Sequence, residues 1–147
     1  MPSEFSKHGI RLLYPENWTL TENDEDPDNP GISLESPEGS FMVIQWFRHL
    51  VALQKLLDDM VSGLKSQYED LETTTCERKI GEITAIGQDA MFYCLDFLVQ
   101  ARLLVFDSSS HRIAVMCQAE SRQFSKTEPV FDAILTGLAH PAKLPAH

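Results

Sequence analysis

The residues best suited to chemistry in this sequence are a run of carboxylates in its first quarter. The stretch DEDPDNPGISLE, residues 24–35, has aspartates at positions one, three and five and a glutamate at position twelve. An EF-hand calcium loop spaces its carboxylates in this way, because their oxygens converge on one hard cation. The side chains concerned are Asp24, Asp26, Asp28 and Glu35.

The rest of this stretch departs from the calcium motif. Position six, where an EF-hand needs glycine for a sharp bend, is Asn29, and positions four and seven are prolines. The flanking segments have strand patterns rather than helical ones. Three interpretations stay open: a solvated loop, a weak calcium site, and a surface that contacts another protein. The predicted partner-binding residues are Asp24, Glu25, Asp26 and Asp28.

No other group of residues matches a catalytic or metal-binding motif. The stretch DSSSH, residues 107–111, contains every residue type of a hydrolase triad, but a triad draws its members from separate segments, so turn chemistry is the better interpretation. The five histidines are scattered, and Cys76, Cys94 and Cys117 lack ligand spacing. We therefore expect no metal and no cofactor, and buried, reduced thiols.

Asp96 is a carboxylate inside an apolar run, AMFYCLDFL, residues 90–98. A desolvated carboxylate has a raised pKa, which suits acid–base catalysis. A pocket around Asp96, between sheet and helix, would make the chain a small enzyme or ligand-binding domain. Alternatively, Asp96 lies near a strand end and meets solvent or Arg102.

These residues are carried by a chain that alternates between strand and helix patterns. Apolar residues at helical spacing predict a helix at about residues 51–67. A second helix is predicted over residues 127–139, with Thr127 as its N-cap and Pro129 in its first turn. The remaining patterns predict seven to nine strands, with turns at residues 37–39 and near 99–100.

The predicted fold class is α+β, in a single domain over residues 1–147 with a core at about 8–139 and a flexible tail at 140–147. Apolar side chains occupy both parities of the segment 91–98, as in a strand that is covered on both faces. The two helices are therefore expected on opposite faces of an antiparallel sheet, as in an α/β/α sandwich. Trp18 and Trp46 are expected in the core, with interface anchoring as the alternative.

The order of elements resembles the PsbP/Mog-like family. HGIRLLYPENW is similar to the family's opening strand, Tyr-Pro turn and tryptophan; ITAIGQDAMFYCLDF and EPVFDAILTGL are similar to its middle segment and C-terminal helix. The resemblance covers residues 8–139 and implies an α/β/α sandwich. It also implies protein binding rather than catalysis, because members include a photosystem II accessory subunit, a factor that binds a Ran-type GTPase and chaperones of secreted effectors. It supplies no catalytic or partner-binding residue for transfer.

Charge and hydropathy narrow the class of partner. The net charge of −10 disfavours nucleic acid and anionic membranes, and the longest apolar run is too short to cross a bilayer. The N-terminal segment has no secretory pattern, so we expect a cytoplasmic protein, closest in character to uncharacterised bacterial members of the family. The predicted function is a non-enzymatic protein-binding module, adaptor or chaperone-like. A homo-oligomer is a further possibility.

Overall fold

A computed structural model describes residues 2–23, 30–47, 51–108 and 111–140. Within these ranges it contains nine strands and two helices. The strands are β1 (Ser3–Lys7), β2 (Ile10–Tyr14), β3 (Thr19–Asn23), β4 (Gly31–Glu35), β5 (Phe41–Phe47), β6 (Glu72–Ile80), β7 (Ile83–Cys94), β8 (Phe97–Asp107) and β9 (Arg112–Glu120). The helices are α1 (Leu53–Gln67) and α2 (Ser121–Ala139).

Seven of the strands form one antiparallel sheet in the order β3-β4-β5-β9-β8-β7-β6, and β1 and β2 form a separate hairpin. Every pair of neighbouring strands is antiparallel. The predicted α+β class and the antiparallel sheet are therefore confirmed. The predicted turn at residues 37–39 is confirmed as well: Ser36 N donates to Ser40 O at 2.8 Å, and Gly39 has φ +91°.

The buried residues form two apolar clusters, which share the strands of the sheet. The first contains Phe131 and its neighbours on α2, together with the β1–β2 hairpin and Trp18 and Trp46, which are therefore core residues. The second contains the buried leucines of α1. Along β8, Leu104 and Phe106 belong to the first cluster, whereas Leu103 and Val105 belong to the second.

Two predicted boundaries were wrong. Helix α2 begins at Ser121, six residues before Thr127, and encloses Pro129. Residues 121–126 are mostly polar and were not included in the predicted helix, but Phe124 in their middle is buried in the first cluster and anchors the first turns of the helix. Thr127 therefore does not cap the helix; its hydroxyl donates to Gln123 O at 3.1 Å.

The turn predicted near residues 99–100 lies instead at Leu95–Asp96, where Cys94 pairs with Phe97 across the hairpin. The turn contains neither glycine nor asparagine, so the sequence gives no local signal for it. In the described part of the chain, neither helix is long and apolar enough to span a membrane.

Candidate functional site

The partner-binding residues predicted from the sequence, Asp24, Glu25, Asp26 and Asp28, lie outside the described residues. Their role stays a prediction. Glu35, the twelfth residue of the same stretch, is the exposed last residue of β4. Among the described residues, no three metal-ligating side chains come together.

The described part of the DSSSH stretch makes the predicted turn contacts. Ser108 Oγ donates to His111 O at 3.0 Å, and His111 N donates to Ser108 Oγ at 3.2 Å. The carboxylate of Asp107 pairs with Arg112 at 3.0 Å. These contacts close the β8–β9 connection, so Ser108 serves the turn.

All three cysteines are free thiols, but the prediction that they are buried holds only for Cys117, since Cys76 and Cys94 are partly exposed. Cys117 is buried, and burial raises its pKa to about 12. Burial also raises the pKa of the partly buried Cys76, with a further contribution from Asp89. A thiol that stays protonated is a weak nucleophile, so Cys117 acts as a small core residue.

Asp96 lies in the turn between β7 and β8 and is exposed. The desolvation on which its acid–base role depended is therefore absent. Instead, Asp96 borders a shallow surface depression of about 360 Å³, together with Tyr93, Leu98, Glu120 and Arg122. This depression lies between the end of the hairpin and the start of α2.

The β7–β8 hairpin extends past both neighbouring strands at this end. The pairing of β7 with β6 stops at Met91, opposite Glu72, and that of β8 with β9 stops at Val99, opposite Glu120. Beyond these points the two strands pair, among the described strands, only with each other, Phe92 with Val99, Tyr93 with Leu98 and Cys94 with Phe97. We call residues 91–98 the hairpin tip.

The hairpin tip carries the exposed apolar surface of the described chain. Met91, Tyr93, Leu95 and Phe97 are 36%, 58%, 89% and 53% exposed, and no other large hydrophobic side chain among the described residues reaches this level. Isolated exposed hydrophobics are ordinary on a protein surface, but a group on one element is typical of an interaction site. This group was not predicted from the sequence, because apolar residues at both parities of 91–98 indicated a strand covered on both faces.

A rigid base supports the tip. Phe92 is buried, and its ring stacks on that of Tyr68 with centroids 4.1 Å apart. Tyr68 directly follows α1, so the aromatic pair ties the hairpin to the end of that helix. The outward side chains are therefore held on an ordered element, which reduces the entropy lost when a partner binds.

Leu95 has φ +56°, in the left-handed region that favours glycine. For a leucine this conformation costs about 1–2 kcal/mol. Its side chain is 89% exposed and makes little compensating contact within the chain. A strained backbone that carries an exposed apolar side chain is a reason to look for function.

Carboxylates surround the hairpin tip. Glu69 and Asp70 follow Tyr68, Glu72 is opposite Met91 in the sheet, and Asp96 and Glu120 border the depression. Arg122 lies at the same border; it is 81% exposed and donates to Glu120 at 2.7 Å. The apolar surface thus has an acidic rim, which consists of Glu69, Asp70, Glu72, Asp96 and Glu120.

A second concave feature lies beside α1, over β5 and β9. It is a groove of about 250 Å³ lined mainly by apolar side chains, among them Val43, Met60, Leu64 and Met116. The groove matches the location, between sheet and helix, that the sequence suggested for a ligand pocket. It does not contain Asp96.

Comparison with solved structures identifies the fold. The chain superposes on the solution structure of cyanobacterial PsbP (CyanoP) from Synechocystis with a TM-score of 0.63 at 10% identity, over 92% of this chain and 89% of that one. It matches PA94 of Pseudomonas aeruginosa, a protein of unknown function described as a putative regulator, with a TM-score of 0.54 at 10% identity, over 99% and 98% of the two chains.

A structure from Bacteroides thetaiotaomicron matches with a TM-score of 0.59 at 12% identity, over 86% of this chain and 43% of that one. No family model and no curated protein matches the sequence. At such low identity, the likeness shows a PsbP-like fold.

Proposed function

We propose that this chain is a non-enzymatic, cytoplasmic protein-binding module that engages its partner through the hairpin tip. The observation that carries the proposal is the exposure of Met91, Tyr93, Leu95 and Phe97 on one projecting element. Tyrosine and other large aromatic residues dominate the binding energy of protein interfaces, where a central residue often contributes 2 kcal/mol or more. A partner that covers the tip would bury these side chains.

We infer further that α1 and α2 cover opposite faces of the sheet, so that the chain forms an α/β/α sandwich and is a member of the PsbP/Mog-like family. The alternation along β8 supports this arrangement, since Leu103 and Leu104 belong to different apolar clusters. A sheet held between two layers is a stiff platform for a projecting hairpin. Adaptor and chaperone-like roles both suit such a platform.

The first test places a photo-reactive amino acid at position 95 in the full chain, expressed in the source cell. The matched control places it at position 82, an exposed residue in the β6–β7 turn at the opposite end of the sheet. We expect a defined covalent adduct with another protein from position 95 and none from position 82. The adduct should disappear when Tyr93→Ser and Phe97→Ser are added. Equal adducts from both positions, or none from position 95, would contradict the proposal.

The groove beside α1 supports a second candidate function, the binding of a small apolar ligand. Gly63 lies on the groove, and a side chain added there would enter open space. Substitution Gly63→Leu should therefore fill the groove. An apolar dye whose fluorescence rises with wild-type protein, is unchanged by Tyr93→Ser and is lost with Gly63→Leu would support this function; equal signals from all three proteins would contradict it.

A further inference from the structure

We propose that the segment recognised by the hairpin tip is positively charged: a stretch of another protein with at least one lysine or arginine beside a large apolar residue. This inference rests on the proposed function and adds the chemistry of the partner. Its basis is the apolar surface of the tip, the acidic rim and the depression between tip and α2.

The charge balance around the tip is negative. The rim contains five acids, whereas the described basic residues beside it include Lys65, in the last turn of α1, and Arg122. Arg122 is already paired with Glu120. Because the rim is exposed, its field acts on an approaching partner over about 10 Å at ordinary salt and favours a segment of opposite charge.

The depression has the shape and chemistry of a site for a long cationic side chain. Tyr93 and Leu98 supply an apolar wall, and the carboxylates of Asp96 and Glu120 border it. Lysine and arginine lay an aliphatic stem on apolar surface while their charged ends reach carboxylates. Phe97 also lines the depression, and neighbouring Leu95 remains available for an apolar side chain of the same segment.

In the free chain, Arg122 is paired with Glu120, one of the carboxylates that border this depression. Its pair with Glu120 is exposed, and exposed pairs of this kind contribute about 0–1 kcal/mol. A cationic side chain of the partner can therefore displace Arg122 at little cost. It follows that removing Arg122 should strengthen binding, whereas removing Asp96 should weaken it.

The same rim argues against three other occupants. Anionic lipid headgroups and nucleic acid would meet like charge. A second copy, placed across a two-fold axis, would bring one acidic rim against another. A partner of different sequence, with positive charge, avoids this repulsion.

The test uses a phage-displayed library of random dodecapeptides, selected on the immobilised full chain at low salt. Peptides that also bind the variant Tyr93→Ser, Leu95→Ser, Phe97→Ser are removed. We expect the remaining peptides to carry net positive charge and a large apolar residue. Selected peptides without positive charge would overturn this inference and leave the proposed function standing, whereas a failure to enrich any tip-dependent peptide would overturn both.

One selected peptide is then synthesised and titrated against single variants by calorimetry. Asp96→Asn should weaken binding severalfold, Arg122→Gln should strengthen it severalfold, and raising salt from 50 to 300 mM should weaken it about tenfold. The matched control Glu82→Gln removes an exposed acid in the β6–β7 turn, at the opposite end of the sheet, and should have no effect. An affinity that is the same for both variants and at both salt concentrations would overturn the inference.

Two further measurements test the other occupants. Sedimentation of the wild-type chain should give a monomer; a dimer that the triple serine variant abolishes would identify a second copy as the occupant. Vesicles of phosphatidylcholine and phosphatidylserine should not retain the protein. Retention that depends on Leu95 would replace the protein partner with a membrane surface.

Discussion

The two ends of the β7–β8 hairpin differ in what their side chains contribute. Towards the base, residues 101–106 of β8 are all buried. The polar residue among them, Arg102, is paired with two carboxylates. At the tip, Met91, Tyr93, Leu95 and Phe97 face solvent. The same pair of strands thus stabilises the fold at one end and leaves apolar surface exposed at the other.

Arg102 shows how thoroughly the base is stabilised. Its side chain is 10% exposed, with Nε 2.9 Å from Asp89 and Nη1 2.6 Å from Glu128, and its guanidinium lies over the ring of Phe124. Burial alone would lower its pKa, but the hydrogen bonds that it donates to Glu128 and Asp89 outweigh burial and raise the pKa. The tip has no comparable network among the described residues. The difference shows that the tip contributes less to the stability of the fold than the base does, which supports the proposal that the tip binds a partner.

The largest change in the free energy of unfolding should come from a substitution in the apolar base of the hairpin. Phe106 is fully buried between the sheet and its neighbours in the first cluster. Phe106→Ala should lower the free energy of unfolding by about 3–5 kcal/mol, because it removes buried surface and leaves a cavity. Urea denaturation followed by circular dichroism measures this. The matched tip variant Phe97→Ala should cost less than about 1 kcal/mol, and equal losses would contradict the comparison.

The next effect concerns the buried arginine. Arg102→Met keeps much of the side-chain length but leaves Asp89 and Glu128 without this cation, so we expect a loss of about 2–3 kcal/mol. This is below the range for a fully buried pair, since both carboxylates are about one third exposed. The exposed pair of Lys55 and Asp59 supplies the control, where Lys55→Met should cost about 0.5 kcal/mol or less.

A pH series provides the third test. Burial raises the pKa of Cys117 to about 12, whereas an unfolded cysteine has a pKa of about 8.5. The unfolded chain therefore loses this proton first as pH rises. The stability that Cys117 contributes is complete below pH 8.5 and falls by about 1.4 kcal/mol per pH unit between roughly pH 9 and 12.

The free energy of unfolding of the wild-type chain should accordingly fall more steeply between pH 8.5 and 10 than that of Cys117→Ala, measured in urea at each pH. Subtraction of the two curves removes tyrosine and lysine titration, which both proteins share. Parallel curves would show that the burial of Cys117 does not control this slope.

The smallest expected change in the free energy of unfolding is an increase, and it comes from a substitution in the tip. Leu95→Gly relieves the positive φ and removes an exposed side chain, at the cost of a more flexible unfolded chain. We expect a net gain of about 0.5 kcal/mol in the free energy of unfolding. The turn between β1 and β2 is the matched control: Gly9 has φ +80°, so Gly9→Ala should lose about 1 kcal/mol. Destabilisation by Leu95→Gly would show that the leucine serves the fold.

The sequence by itself determined the class of the fold. The helical spacing of Leu57, Met60 and Leu64 locates α1, and the glycine of the 37–39 turn fixes the β4–β5 hairpin, because both signals are local. The prediction that residues 91–98 are covered on both faces was wrong, since Met91, Tyr93, Leu95 and Phe97 are exposed. The strand whose side chains are buried in both clusters is β8, over residues 103–106. The position of the cysteines on strands predicted buried side chains, which is correct for Cys117 but not for the partly exposed Cys76 and Cys94.

Only the tertiary structure decided which apolar residues are exposed. Phe92 and Tyr93 are adjacent and similar in chemistry, yet the first is buried on Tyr68 and the second is exposed. Successive strand residues point to opposite faces, and Tyr68 at the end of α1 covers the face of Phe92 but not that of Tyr93. The contact joins segments far apart in sequence. The position of Asp96 in a turn was likewise not predictable from the sequence, because the residue with positive φ in that turn is Leu95 rather than a glycine. The exposure of a side chain depends on which elements pack against it, and local sequence patterns do not specify those contacts.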